Sequence, residues 1–198
     1  MALFQQTQTA HGHVDVLVNA AWGGYERMVE KGRFTFGDPF WEQPAWRWDA
    51  MMTAGVRSAY VASQHAARLM VPRRRGLIVN ISFWPAQKFI ANTPYGVSKA
   101  ATDKLTADMA HELAPHGVTV LSLYPGLVRT EAVLAAGVFD LSNSESPEFI
   151  GRVIAALATD PSVAHCTGQV VVAAAAARDY GITDIDGATP APLTLADV

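Results

Sequence analysis

The sequence predicts an α/β protein built on a doubly wound parallel sheet, and three observations predict it. Short apolar runs rich in β-branched residues, Val14–Ala20, Gly76–Ser82 and Val118–Tyr124, alternate with stretches of helical composition and period. That order places helices on both faces of a parallel sheet. Each run stops at residues that end strands or carry amides and hydroxyls: Asn19, Ser82 and Pro125-Gly126. The three ends therefore share one sheet edge, which is where open α/β sheets take ligands. Finally, the chain has 198 residues, 50% of them hydrophobic, with no internal repeat and no linker. It can bury one sizeable core, so residues 1–198 are expected to form a single domain.

In chain order, Ala2 to His11 reads as the end of a helix stopped near Gly12. Val14–Ala20 is a buried strand. Residues 23–47 read as a long loop dense in aromatic residues, and loops of that length are commonly functional. Trp22 and Trp84 follow strand ends and read as pocket-lining, whereas Trp41, Trp46 and Trp48 read as packing anchors. From Trp46 to Met70, apolar residues such as Met51, Val56, Tyr60 and Met70 recur at helical spacing, and Pro72 ends that helix. After the central strand, Pro94 opens a helix that reaches His116-Gly117. Beyond the strand Val118–Tyr124, residues 131–145 read as a substrate lid. Ser146-Pro147-Glu148 starts another helix, with Ser as N-cap and Pro at the first helical position, running to Thr159. A last strand, Gly168 to Ala173, precedes a Pro-containing tail.

The chemistry concentrates between Ser82 and Lys99. Tyr95 and Lys99 stand four residues apart on the predicted helix and so share a face. A cation beside a phenol favours phenolate and is expected to lower its pKa toward the working pH of a proton-transferring acid. Ser82, at the neighbouring strand end, is placed to hydrogen-bond the same reacting oxygen.

Composition narrows the alternatives. A net charge of −3 gives no electrostatic footprint for nucleic acid, and the basic run Arg73–Arg75 reads as a solvated turn. The single cysteine, Cys166, excludes an intrachain disulfide framework and fits a reducing compartment. The N-terminal stretch lacks the zones of a signal peptide, and the longest apolar run, Val170–Ala177, is too short to span a bilayer. A soluble, cytoplasmic protein with no membrane contact is expected. The histidines make no set at metal-ligand spacing, so no metal is expected.

Ser82, the Tyr95-x-x-x-Lys99 pair, Asn19-Ala20-Ala21 and Pro125-Gly126-Leu127-Val128-Arg129-Thr130 together resemble the short-chain dehydrogenase/reductase family over nearly the whole chain. Trp48-Asp49, Ala110-His111-Glu112-Leu113 and Tyr180 to Gly187 look like one branch of it. The resemblance implies a Rossmann-like fold and hydride transfer between NAD or NADP and a carbonyl or alcohol. It implies Tyr95 as general acid/base, Lys99 as its tuner and ribose ligand, and Ser82 as the group polarising the carbonyl. Asn19, Ala20, Ala21, Pro125, Gly126, Val128 and Thr130 would join Tyr95 and Lys99 in holding the cofactor. The aromatic loop suggests a bulky, apolar small-molecule substrate. The helices at 46–70 and 95–116 are expected to form a homo-oligomer interface.

Two departures stand out. The family's helix asparagine, seven positions after the tryptophan, is Gly55 here. No two of the fifteen glycines are spaced G-x-G, so the turn that holds a dinucleotide pyrophosphate is missing from the chain. An N-terminally truncated domain is therefore expected, either an enzyme or a non-catalytic remnant that cannot hold the dinucleotide.

Overall fold

The computed structural model describes residues 2–198. The chain opens with α1 (Ala2–His11), which ends at Gly12 in the left-handed region (φ +76°), then forms β1 (Val16–Asn19). Where a loop was expected, a small antiparallel hairpin intervenes, β2 (Val29–Glu30) and β3 (Arg33–Phe34). Next comes one long helix in three parts: α2 (Ala45–Ala50), a π-helical stretch (Met51–Arg57) and α3 (Ser58–Met70). The remaining elements are β4 (Gly76–Ile81), α4 (Thr93–Leu113), β5 (Val118–Tyr124), β6 (Leu127–Val128), α5 (Glu131–Ala136), β7 (Ser144–Glu145), α6 (Pro147–Thr159), β8 (Val170–Val172) and α7 (Ala173–Tyr180). The final helix was not expected; the run of small residues after β8 winds rather than extends. Alanine, the strongest helix former, supplies five of its eight residues.

β1, β4, β5 and β8 form one parallel sheet in the order β1-β4-β5-β8. Alternation along the strands sends Leu77, Val79, Leu121 and Leu123 to one face, where they pack on Phe149, Val153 and Leu157 of α6 and the alanines of α7. Ile78, Val118 and Val120 face the other way, against Ala66 and Met70 of α3 and Ala110 and Leu113 of α4. Helices on both faces of a parallel sheet make the fold Rossmann-like, as the alternation of strands and helices predicts.

A polar row crosses this second face. Asn19, Asn80 and Ser122 are in register on three neighbouring strands. Asn19 Nδ2 donates to Asn80 Oδ1 (2.8 Å) and to Ser63 Oγ (3.0 Å); Asn80 Nδ2 and Ser122 Oγ both donate to Thr106 Oγ1 (2.8 and 2.9 Å). Among the described residues no helix is long and apolar enough to cross a membrane.

Candidate active site

The strands' C-terminal ends set the site. Ser82 follows β4, two residues past Asn80, and so lies on the α3/α4 face; Tyr124 ends β5 beside it. α4 starts at the same edge because Asn92 caps it, its Oδ1 accepting from the Tyr95 amide at 2.9 Å. The same side chain donates to the Phe36 carbonyl at 2.7 Å, so the helix start and the hairpin loop are tied together. Tyr95, Lys99 and Asp103 then recur every four residues along one face of α4.

Ser82 and Lys99 meet. Ser82 Oγ donates to the Lys99 carbonyl at 3.4 Å, and Lys99 Nζ donates to the Ile81 carbonyl at 3.3 Å. All three expected catalytic residues are buried. No hydrogen bond joins Ser82 or Lys99 to the Tyr95 phenol among the described residues. Tyr95 is enclosed instead by aromatic rings, with Phe36 at 5.5 Å, Tyr25 at 5.8 Å and Trp22 at 6.0 Å between centroids. Phe34 of the hairpin meets Phe139 of the segment 131–145 edge-on at 6.3 Å.

The electrostatics depart from expectation. Burial pushes the Tyr95 phenol up to about 12, offset in part by a hydrogen bond with Tyr25. Burial pulls the Lys99 ammonium down to about 7, with Asp103 opposing it. Proximity along the helix does not lower the phenol here, because the ammonium lies 5.9 Å from the Tyr95 ring centre and desolvation of both groups dominates.

The expected cofactor residues divide. Ala20 and Ala21 lie exposed just beyond β1. Asn19, the last residue of β1, commits its amide hydrogens to Ser63 and Asn80 inside the sheet layer. Pro125 and Gly126 follow β5 directly, and Val128 lies in β6, which pairs with β7. The Gly126 amide donates to Glu145 Oε2 at 2.8 Å, and a Cβ at Gly126 would stand 2.9 Å from Glu145 Oε1. Thr130 Oγ1 caps α5 by accepting from the Val133 amide at 3.3 Å.

Several site residues escaped the sequence. Glu145 is buried against the Pro125–Thr130 turn, and burial raises its carboxyl to about 7. Nothing in Ser144-Glu145-Ser146 distinguishes it from a solvated residue ahead of a helix. Arg47 is fully buried, with the hairpin wrapped round it through the Arg27 carbonyl (3.0 Å) and the Thr35 carbonyl (3.1 Å). Its guanidinium also stacks on Phe36 and Trp46. A charge between two tryptophans in Trp46-Arg47-Trp48 carries no periodic signal of burial. Asp103, whose Oδ2 accepts from the Tyr124 phenol, could have been found, since it continues the Tyr95–Lys99 spacing by one more turn. Among the tryptophans, Trp22 packs on Tyr95 and Trp84 on Tyr124. Trp41 and Trp48, read as anchors, are instead exposed, at 72% and 42%.

A parallel sheet carrying such a Tyr-x-x-x-Lys helix beside a strand-end serine, with a Pro-Gly turn on the next strand, places the protein in the Rossmann-like class of α/β domains. The chain belongs to the short-chain dehydrogenase family: the family model described as short chain dehydrogenase matches residues 1–137. Dehydrogenase/reductase SDR family member 1 of Mus musculus is 43% identical over 201 residues, covering 94% of this chain and 63% of that relative. The Homo sapiens protein of the same name is 41% identical with the same coverage. The chain thus spans 63% of the length of these relatives. A solved short-chain type dehydrogenase/reductase from Mycobacterium marinum superposes with a TM-score of 0.69 at 26% identity, over 86% of this chain and 67% of that one.

Proposed function

We propose that the protein acts as an NAD(P)-dependent oxidoreductase interconverting a carbonyl and an alcohol, with Tyr95, Lys99 and Ser82 handling the proton. The observation that carries this reading is the convergence of α4 on the end of β4, where Ser82 and Ile81 contact Lys99 one turn from Tyr95. When bound, a nicotinamide cofactor would supply or accept the hydride. Tyr95 gives its proton to the carbonyl oxygen as charge develops there, and Ser82 turns its hydroxyl hydrogen from the Lys99 carbonyl to the same oxygen. Lys99, in its protonated form, sets a positive charge next to the phenol.

The nicotinamide end of a dinucleotide fits the residues present. Among the described residues Lys99 Nζ makes a single hydrogen bond, and the Trp22 Nε1 hydrogen is buried without an acceptor. Two donors beside Tyr95 thus lack partners of the kind that ribose hydroxyls and an amide supply. Tyr95, Lys99, Ala20, Ala21, Pro125, Gly126, Val128 and Thr130 would hold that end. No G-x-G turn of the kind that holds the pyrophosphate end lies within residues 1–198. The aromatic roof of Tyr25, Phe34, Phe36 and Phe139 favours a bulky apolar substrate.

In an enzyme assembled from this chain and the glycine-rich N-terminal portion of a family member, Tyr95→Phe should cut turnover by about 10²–10⁴-fold while leaving the fold intact. Retention of more than half the rate would exclude Tyr95 as the proton donor. The Tyr95 phenol, pushed up to about 12 by burial and bonded to neither Ser82 nor Lys99 among the described residues, favours a second reading, a non-catalytic chain. Calorimetric titration of the chain alone with NADH and NADPH separates the two. Affinity weaker than about 1 mM supports the second reading for the isolated chain, and micromolar affinity removes it.

A further inference from the structure

We infer that Trp22 is a positioning residue for Lys99: its indole face holds the ammonium, and Gly55 leaves the helix bare so that the ring can lie there. This deepens the reading of Tyr95 and Lys99 as the proton-handling pair and rests on it. Lys99 Nζ stands 3.7 Å from the centroid of the Trp22 ring, well within cation–π range. Its only hydrogen bond runs to the Ile81 carbonyl, and among the described residues no carboxylate makes a salt bridge to it. A Cβ built at Gly55 would come within 2.6 Å of two carbons of the indole, so any other residue there would evict the ring. Gly55 lies inside the π-helical stretch Met51–Arg57, a winding that recurs at functional sites. The same indole meets Tyr95 nearly edge-on at 6.0 Å and so touches both groups of the pair.

The charged and titratable groups near the ammonium are few. α4 contributes Tyr95 and Asp103, the loop after β1 contributes Tyr25, and β4 contributes only the Ile81 carbonyl. The π-helical stretch presents Gly55 and Met51, neither of them charged. The indole face and the Ile81 carbonyl are therefore the nearest partners that favour the charged form. The indole also fixes where Nζ stands along the Tyr95 ring. Loss of the ring would free the ammonium to swing about its four-carbon stem.

The test uses the whole 198-residue chain, without cofactor, carrying ¹³C at lysine Cε and ¹⁵N at the indole nitrogen. The Lys99 ionisation midpoint should fall by about half to one pH unit in Trp22→Leu, because an aliphatic side chain gives nothing to the charge. Trp22→Phe, which restores an aromatic face, should recover most of the wild-type midpoint. Gly55→Ala should reproduce the leucine variant by displacing the ring. In the wild type, the Trp22 side-chain N–H resonance should move with the Lys99 midpoint, and the movement should vanish in Lys99→Met. The inference is overturned by a Trp22 resonance indifferent to that titration, or by a midpoint unchanged or raised in Trp22→Leu. Equal midpoints in the leucine and phenylalanine variants overturn it as well. Where the leucine variant does not fold, the wild-type and Lys99→Met resonances decide alone. The titration needs no turnover, so failure of Tyr95 as proton donor would leave this result standing, and the reverse also holds.

Discussion

Replacing Lys99 by methionine should make the folded chain more stable at and below neutral pH. Lys99 is 4% exposed, and burial draws its ammonium from the ordinary 10.5 to about 7. Between those values the unfolded chain carries a proton on Lys99 that the folded chain does not. Stability therefore rises with pH across the window, and below pH 7 the fold bears the whole penalty. At 1.36 kcal/mol per pH unit the gap from 10.5 to about 7 amounts to about 5 kcal/mol, an upper bound. Methionine keeps the stem's packing but forfeits the bond to Ile81 and the indole contact, together about 2–3 kcal/mol. The net gain near pH 6.5 is then about 2–3 kcal/mol, and it shrinks as pH rises through the window. Urea denaturation of both proteins at about pH 6.5, 8 and 9.5 measures this directly. A gain that is equal at all three values, or a loss at the lowest, would refute the assignment of Lys99 as a desolvated cation.

Three further outcomes are expected. Glu145, raised from 4.5 to about 7, binds a proton in the fold over a range where the unfolded chain has lost it, so stability falls as pH rises through that range. Glu145→Gln keeps an acceptor for the Gly126 amide and should add about 1–3 kcal/mol at pH 8 but little near pH 4.5; identical gains in thermal melts at both would count against a buried, neutral Glu145. Arg47→Met strips the Arg27 and Thr35 carbonyls of their donors, and amides of the hairpin, residues 27–36, should exchange at least about tenfold faster with solvent; unchanged exchange would show that Arg47 does not hold the hairpin. The helices at 46–70 and 95–116 should mediate self-association, as their exposed Tyr60 and Val97 suggest, and light scattering at tens of micromolar that returns only monomer would sink this.

What the sequence made legible was its periodicity. Val118–Tyr124 is the expected strand to the residue, and the caps at Asn92-Thr93-Pro94 and Ser146-Pro147 lie where short polar residues before proline start helices. Ser82, Tyr95 and Lys99 were legible because spacing on a helix and position at a strand end are one-dimensional facts. Burial was not. The expectation for the Tyr95 phenol rested on a neighbouring charge, while the outcome depends on rings contributed by Trp22, Tyr25 and Phe36, up to 73 residues away in sequence. Asn19 shows the same limit: a strand-end asparagine can face the ligand edge or a neighbouring strand, and only the register with Asn80 decides. Arg47 and Glu145 are charges inside the protein, which composition alone assigns to the surface.

The polar row through the sheet acts as a vernier for the edge that carries the candidate site. Side chains alternate along a strand, so a slip of one residue between β4 and its neighbours would turn Asn80 toward the apolar layer of α6 and take from Thr106 one of its two donors. The same slip would carry Ser82, two residues on, to the face opposite Tyr95 and Lys99. A misregistered sheet therefore cannot keep its buried amides satisfied while losing only Ser82; both errors arrive together. Folding that satisfies Asn19, Asn80 and Ser122 delivers Ser82 to α4 as a by-product, and proofreading of the core is at once proofreading of the candidate site.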